Sequence, residues 1–244
     1  MSFSHSFFLI ALVASITFIE IPGGVYAADF GAAPPAAPKT RSAAKLPAPT
    51  QDADLKRAYE AYQRDDSATA YASYLRAAKR GQAIGQYNVA VMAFNGAGTK
   101  RDVAASLLWL KRAARQGFAL AQYNLGLLYE SGNGIERSQK DASTWFLRAA
   151  ERGNADAQVA VATQYLLGRG IEKSDALAAQ WYERAAKSGN MDAQYNIASF
   201  YEHGEGVPHD RERAIHWYAE AGKQGDRAAL EKVRVLSEPG STSR

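Results

Sequence analysis

Apolar residues recur along this chain with the spacing of two amphipathic helices in succession. In residues 119–154 the first set predicts a helix with one apolar face, here called helix A, and comprises Ala121, Leu125, Leu128 and Tyr129. A second set predicts helix B and comprises Ala142, Trp145, Phe146, Ala149 and Ala150. Gly132 and Gly134 separate the two sets, and glycine adopts backbone angles that end a helix. The pattern therefore predicts a helix pair with a glycine-containing loop.

This pair repeats with a period of 36 residues. The positions that keep the period are Trp109, Trp145, Trp181 and Trp217, then Gln86, Gln122, Gln158 and Gln194, then Gly81, Gly117, Gly153, Gly189 and Gly225. A fixed period between 20 and 50 residues indicates a stacked repeat array, in which each unit buries its apolar face against its neighbours. Small residues at fixed positions, such as Ala113, Ala149, Ala185 and Ala221, predict close approach of the helices.

Polar residues at the predicted helix ends keep the same period. Asp102, Ser138, Ser174 and Asp210 precede the helix B segments, where their side-chain oxygens can accept free backbone N–H groups. Asn154, Asn190 and Asp226 precede helix A segments, and the period-36 glycines follow helix B, where a left-handed residue is favoured. The predicted segments are a degenerate capping pair (52–81), four repeats (82–117, 118–153, 154–189 and 190–225), a capping helix (226–236) and a disordered tail (237–244).

The repeated motif AQYNLGxxYxxGxGI…A..WFxxAAxxG resembles the Sel-one-like repeat family, a relative of tetratricopeptide repeats, over roughly residues 55–236. The resemblance implies an all-α fold, a right-handed α/α superhelical solenoid of tandem helix-turn-helix repeats. Family members are usually adaptors or scaffolds, and exported bacterial members regulate envelope signalling or exopolysaccharide production. The resemblance therefore implies a protein or peptide partner.

The N-terminal region predicts export. Residues 7–19 are an apolar run of 13, shorter than the roughly 20 residues that span a bilayer, and Val25-Tyr26-Ala27 supplies small residues for cleavage after Ala27. We expect a signal peptide (1–27) and release to the periplasm or medium, although the segment before the apolar run lacks Lys and Arg, so an uncleaved anchor is the alternative. Residues 28–51 are rich in Ala and Pro and predict a disordered linker.

Composition excludes several classes of function. The chain has no cysteine, which excludes disulfides, thiolate metal sites and a cysteine nucleophile. Its net charge of +4, without a basic run and interleaved aromatics, does not favour nucleic acid. We expect a monomer without a cofactor and without stable membrane insertion after signal cleavage.

In the resembled family helix A lines the concave surface, so its residues outside the packed face are the candidate partner-binding groove. These candidates are Tyr87, Asn88, Val91, Tyr123, Asn124, Leu127, Thr163, Tyr195, Asn196 and Ser199. Tyrosine gives a large contact area at low entropic cost, and asparagine can pair with backbone amides. The alternative interpretation is that these Tyr and Asn side chains hold adjacent repeats together.

Candidate chemistry elsewhere is sparse. The Gly-x-Gly pairs follow helices rather than strands and lack a third glycine, so they predict loops rather than phosphate sites. The last repeat concentrates His203, His209 and His216 near acidic residues, but their spacing matches no known zinc pattern, so no metal site is predicted. No motif for nucleophilic catalysis is present, and an enzyme acting on envelope polymers or a polysaccharide-assembly component stays an alternative to a protein scaffold.

Overall fold

The computed structural model describes residues 52–238, and this part of the chain consists of eleven α-helices without a strand. In chain order the helices are α1 (Ala53–Gln63), α2 (Ser67–Lys79), α3 (Ala83–Asn95), α4 (Val103–Arg115), α5 (Ala119–Ser131), α6 (Gln139–Glu151), α7 (Ala155–Leu167), α8 (Asp175–Lys187), α9 (Met191–His203), α10 (Arg211–Lys223) and α11 (Arg227–Ser237). The predicted signal peptide, linker and most of the C-terminal tail lie outside the described residues, whereas Ser237 belongs to α11.

Every predicted polar cap is confirmed. Asp102, Ser174 and Asp210 each accept a hydrogen bond from the backbone N–H three residues ahead, at the start of α4, α8 and α10. Ser138 does the same for the N–H of Asp141 in α6. The caps of α7, α9 and α11 are Asn154, Asn190 and Asp226. The glycines that follow the helix B segments all have positive φ, between 82° and 102°, as predicted.

The described residues fall into two compact units, residues 52–149 (unit 1) and 150–238 (unit 2). Unit 1 contains α1–α5 and α6 up to Ala149. Its core is formed by alanines and a few large residues around Leu110 and Leu125, against which Trp109 and Trp145 pack. A second cluster, which includes Leu55 and Tyr74, joins α1 and α2 to α3. The first pair is further closed by ion pairs from Arg76 and Arg80 to Asp54.

Unit 2 contains α7–α11 and has the same construction. Its largest buried side chains are Trp181, Tyr182, Phe200, Tyr201 and Tyr218. Alanines of the small-residue columns, such as Ala185 and Ala221, are fully buried, which confirms that the helices approach closely where the sequence places small residues. None of the described helices of the chain is long and apolar enough to cross a membrane.

The residue after each tryptophan is buried in the core of its repeat. These residues are Leu110, Phe146, Tyr182 and Tyr218, none more than 4% exposed. The tryptophans themselves are less uniformly buried, and only Trp181 is as much as nine-tenths buried. In unit 1 Trp109 and Trp145 are partly buried and pack against the core.

The repeated glutamines connect consecutive repeats. In each repeat the glutamine Nε2 donates to the backbone carbonyl eight residues earlier, near the end of the preceding helix B, and the four bonds are Gln86–Ala78, Gln122–Ala114, Gln158–Ala150 and Gln194–Ala186, at 3.0–3.3 Å. Each of these carbonyls also accepts from the N–H of the glycine three residues later, at 2.9–3.0 Å. The glutamine therefore supplies a second donor to the end of helix B and joins it to the helix A that follows.

Candidate functional site: the helix A face

Seven of the ten candidate groove residues have partly accessible side chains on helix A segments, and we call this set the helix A face. It comprises Asn88, Tyr123 and Leu127 in unit 1 and Thr163, Tyr195, Asn196 and Ser199 in unit 2. Because the two units are separate compact bodies, the face is described for each unit on its own.

The other three candidates are buried, which corrects their assignment. The sequence predicts that Tyr87, Val91 and Asn124 face the groove, but none is more than 2% exposed. Asn124 Nδ2 donates to the hydroxyl of Tyr87 at 2.8 Å, and the ring of Tyr87 packs on Phe118. This bond joins α3 to α5. For this pair, the contact matches the alternative interpretation, in which Tyr and Asn hold adjacent repeats together.

In unit 1 the helix A face is largely apolar. Tyr123 is half-buried, with its ring 5.7 Å from that of Phe146, and Leu127 lies one turn further along α5. Asn88 directs Nδ2 to the carbonyl of Ile84 at 2.9 Å, which leaves the amide oxygen as the group that can accept from a partner. Ile84 and Leu120, one period apart, are partly exposed and extend the apolar character of this surface.

In unit 2 the helix A face is polar. Thr163 Oγ1 lies 3.0 Å from the carbonyl of Val159 and 3.1 Å from the hydroxyl of Tyr182. Tyr195 stands edge-on to Tyr218, with ring centroids 5.1 Å apart, so its orientation is fixed by the core. Its pKa is raised by burial, and it therefore remains a neutral hydrogen-bonding group around neutral pH.

Asn196 and Ser199 complete the unit 2 face on α9. Among residues 52–238 the side chain of Asn196 makes no hydrogen bond, so its amide can both donate and accept. The hydroxyl of Ser199 lies 3.3 Å from Nδ1 of His203, which is also 2.9 Å from the Ser199 carbonyl. The histidine is thereby fixed against its own helix, one turn beyond the face.

An ion pair beside the unit 2 face was not predicted from the sequence. Glu202 accepts hydrogen bonds from the hydroxyl of Tyr218 at 2.7 Å and from Nζ of Lys232 at 2.9 Å. Burial favours a raised pKa for Glu202, but these two hydrogen bonds and the charge of Lys232 outweigh it, and the pKa is lowered. The 36-residue period could have indicated that Lys232 lies near this face, because Lys232 follows Asn196 by one period. The cluster fixes α11 to α9 and α10.

We expect Glu202→Gln to lower the free energy of unfolding by about 1–2 kcal/mol at pH 7, because a charged hydrogen-bond acceptor is removed from a side chain only 12% exposed. A carboxyl whose pKa is lower in the folded state stabilises the fold above its unfolded pKa, and that contribution disappears as the pH falls through the folded pKa. The difference between variant and parent should therefore shrink at pH 3. Urea unfolding at both pH values measures it.

Glu205→Gln, in an exposed loop, is the matched control and should leave the midpoint unchanged at both pH values. A Glu202→Gln difference of equal size at pH 3 and pH 7 would show that packing, rather than the ion pair, is responsible.

Carboxylates border the unit 2 face at the start of its helices. Asp156 and Asp192 take the positions held by Ile84 and Leu120 in the earlier repeats. Burial raises the pKa of Asp192, and repulsion from Asp226 and Asp156 adds to the effect. The same repeat positions are therefore apolar in unit 1 and acidic in unit 2.

Groups for metal binding do not converge in the described residues. No cluster of three or more His, Asp or Glu side chains there could hold a metal ion. The first glycines of the Gly-x-Gly pairs end α3, α5, α7 and α9 in left-handed conformation, as the loop interpretation predicts. The arrangement can provide contact surface and hydrogen bonds, which are the requirements of a binding site.

A family model for the Sel1 repeat matches residues 83–118, 119–154, 155–190 and 192–226, which together make up more than half of the sequence. The chain belongs to the Sel1 repeat family. This membership and the helical architecture confirm the prediction of an all-α repeat solenoid. Sel1 repeat proteins are generally protein-interaction scaffolds rather than catalysts.

Two solved structures of Sel1 type are similar to this chain. One is c5321, a protective antigen of uropathogenic Escherichia coli with an SLR fold, at 34% identity and a TM-score of 0.65, covering 68% of this chain. The chain spans 36% of that protein's length. The other is a Sel1 repeat protein from Oxalobacter formigenes, at 30% identity and a TM-score of 0.65, covering 73% of this chain and 76% of the other. No curated protein matches significantly.

Proposed function

We propose that this Sel1 repeat protein is an exported scaffold that binds a polypeptide segment of an envelope protein on its helix A face. The observation that carries the proposal is the fixed, partly exposed pair Tyr195 and Asn196 on α9. Tyr195 is held edge-on to the buried Tyr218, and Asn196 has both hydrogen-bonding groups of its amide unused. A rigid aromatic beside a free amide suits recognition of a polypeptide.

The chemistry of the two units supports a polypeptide partner. A peptide carries backbone donors and acceptors at every residue, which match the amides of Asn88 and Asn196. Its side chains are both apolar and polar, and the helix A face provides apolar contact at Leu127 in unit 1 and hydroxyl groups at Thr163 and Ser199 in unit 2. Since these positions are preset by the packing of the repeats, little conformational entropy is lost on binding.

The export part of the proposal rests on residues 1–27. An apolar run of 13 residues followed by a small-residue cleavage motif is typical of a secretory signal. We expect the mature protein to begin at Ala28 and to be recovered from the periplasm or medium. N-terminal sequencing of the protein recovered from each fraction measures this, and an intact residue 1–27 segment in the membrane fraction would favour the uncleaved anchor.

Binding is tested by replacing Tyr195 and Asn196, the pair on which the proposal rests. We expect Tyr195→Ala/Asn196→Ala to lose at least about 10-fold in affinity for the partner, because a contact aromatic and an amide hydrogen bond are removed together. Photo-crosslinking from position 199 in cells identifies the partner, and titration calorimetry with the purified partner measures the affinity.

Tyr59→Ala/Asn133→Ala is the matched control. It removes the same two residue types from exposed sites in unit 1, outside the helix A face, where Tyr59 is 42% exposed. Circular dichroism melting curves must show that both variants are folded. Equal affinity of the parent and Tyr195→Ala/Asn196→Ala would refute binding at this face.

A further inference from the structure

The helix B side of unit 1 carries two arginine–tryptophan stacks. Arg112 on α4 lies over the ring of Trp109, with Cζ 4.7 Å from the ring centroid, and Arg148 on α6 lies over Trp145 at 4.6 Å. Both arginines are exposed. Each stack fixes a guanidinium by a cation–π contact and leaves its edge, with the N–H donors, directed away from the ring. Unit 2 contains the same arrangement at Arg184 and Trp181.

These guanidinium groups are not neutralised within the protein. Among residues 52–238, neither the Arg112 nor the Arg148 guanidinium has a carboxylate within 4.0 Å or a hydrogen bond to another group. At both ends of the repeat series the equivalent position is satisfied internally. Arg76, one period before Arg112, forms an ion pair with Asp54, and Glu220, one period after Arg184, forms one with Lys223. The inner repeats therefore present charge that the terminal ones do not.

The surroundings of the two stacks are basic and partly apolar. Residues 52–149 contain 14 Lys and Arg residues but 9 Asp and Glu residues, and α4 has no acidic residue at all. Leu108, one helical turn before Arg112, is 51% exposed and adds an apolar contact to the same side of α4. An anion that approaches the α4 part of this surface meets a fixed donor and no acidic residue on that helix, whereas α6 carries Asp141 and Glu151 besides Arg148.

We infer that the two Arg–Trp stacks of unit 1 form a binding surface for an acidic polypeptide segment. Guanidinium groups pair with carboxylates through two parallel hydrogen bonds, and Leu108 favours a ligand that also has apolar side chains. The ligand should therefore carry repeated Asp or Glu residues with apolar residues between them.

The surface is distinct from the helix A face and does not depend on it. Its residues lie on helix B segments, and both tryptophans pack from that side against the core around Leu110. Tyr195→Ala/Asn196→Ala should therefore bind an acidic segment as the parent does. This separation makes the two sites independently testable.

The probe is a fluorescein-labelled synthetic peptide of 13 residues with Glu at every third position and Leu or Ser between. A matched control peptide, the Gln twin, has the same sequence with Gln in place of every Glu. Fluorescence anisotropy with the full-length protein should show saturable binding of the acidic peptide, at least about 10-fold weaker binding of the twin, and weakening with added salt. Arg112→Gln/Arg148→Gln should lose at least about 10-fold in affinity.

Arg57→Gln/Arg64→Gln is the matched control, since it removes two exposed positive charges, one from α1 and one from the residue that follows it, and neither is stacked on an indole. It should bind the acidic peptide within about 2-fold of the parent. The inference is overturned by undetectable peptide binding, by equal affinity for the Gln twin, or by equal loss in the control variant. Binding of a polygalacturonate oligomer, but not the peptide, through Arg112 and Arg148 would assign the surface to anionic glycans instead.

Discussion

Gly98→Ala is expected to destabilise unit 1 by about 2–5 kcal/mol. Gly98 has φ of +68°, a conformation that costs an L-residue about 1–2 kcal/mol. An added Cβ would also lie 2.5 Å from the carbonyl carbon of Ser67 and closer still to its oxygen. These atoms are backbone at the start of α2, so they cannot move aside as a side chain would, and overpacking adds about 1–3 kcal/mol. Urea unfolding followed by circular dichroism measures the loss.

Gly81→Ala separates the two contributions. Gly81 has a similar positive φ of 89°, but an added Cβ there meets no atom within 4 Å. It should therefore show the backbone penalty alone, about 1–2 kcal/mol. Because repeat arrays do not always unfold in one step, hydrogen exchange of unit 1 amides should accompany the unfolding curves. Equal destabilisation by the two substitutions would mean that the contact between the loop and α2 contributes nothing.

The contact between Gly98 and Ser67 could not be predicted from the sequence. The Gly-x-Gly pairs predict loops, and the left-handed glycines that end the helices confirm it. The sequence does not reveal that the second glycine touches the start of the preceding helix B, 31 residues earlier. The same backbone contact recurs between Gly206 and Asp175, and Gly134 lies against the side chain of Val103 at the equivalent position. It depends on how successive helix pairs stack, which local pattern does not encode.

Helix pairing and capping could be predicted because they are local. A cap needs an oxygen within three residues of a free N–H, and an apolar face needs only the right spacing. The choice between Trp145 and Phe146 as the buried residue could not be predicted, since adjacent helical positions both border the apolar face. The same limit applies to Tyr87 and Asn88 on α3. Burial of Tyr87 follows from its bond to Asn124, 37 residues away.

The second large effect concerns the close approach of α5 and α6 in unit 1. Gly126 lies against the ring of fully buried Phe146, and an added Cβ would be 2.6 Å from two ring carbons. One repeat earlier, Ala90 and Leu110 hold the equivalent positions in the same buried cluster. In these two repeats of unit 1, glycine on helix A accompanies the phenylalanine ring on helix B, and alanine accompanies the smaller leucine.

We expect Gly126→Ala and Phe146→Leu each to destabilise by about 1–2 kcal/mol, the first by overpacking and the second by leaving a void. Combined, they rebuild the Ala90–Leu110 arrangement, so the double variant should be at least about 1 kcal/mol more stable than the sum of the single effects predicts. Alanine is also more favourable than glycine in a helix interior. Only the double variant gains this stabilisation without a steric clash. Unfolding free energies of the four proteins in urea give the coupling.

A pair without shared contacts provides the control for this cycle. Leu55→Val lies in the separate cluster around α1 and α2, and its effect should add to that of Gly126→Ala within about 0.5 kcal/mol. A coupling near zero between Gly126→Ala and Phe146→Leu would show that the ring moves aside at little cost. A favourable coupling would show that consecutive Sel1 repeats of this chain solve one packing problem with two matched residue pairs, so that each pair can be exchanged only as a unit.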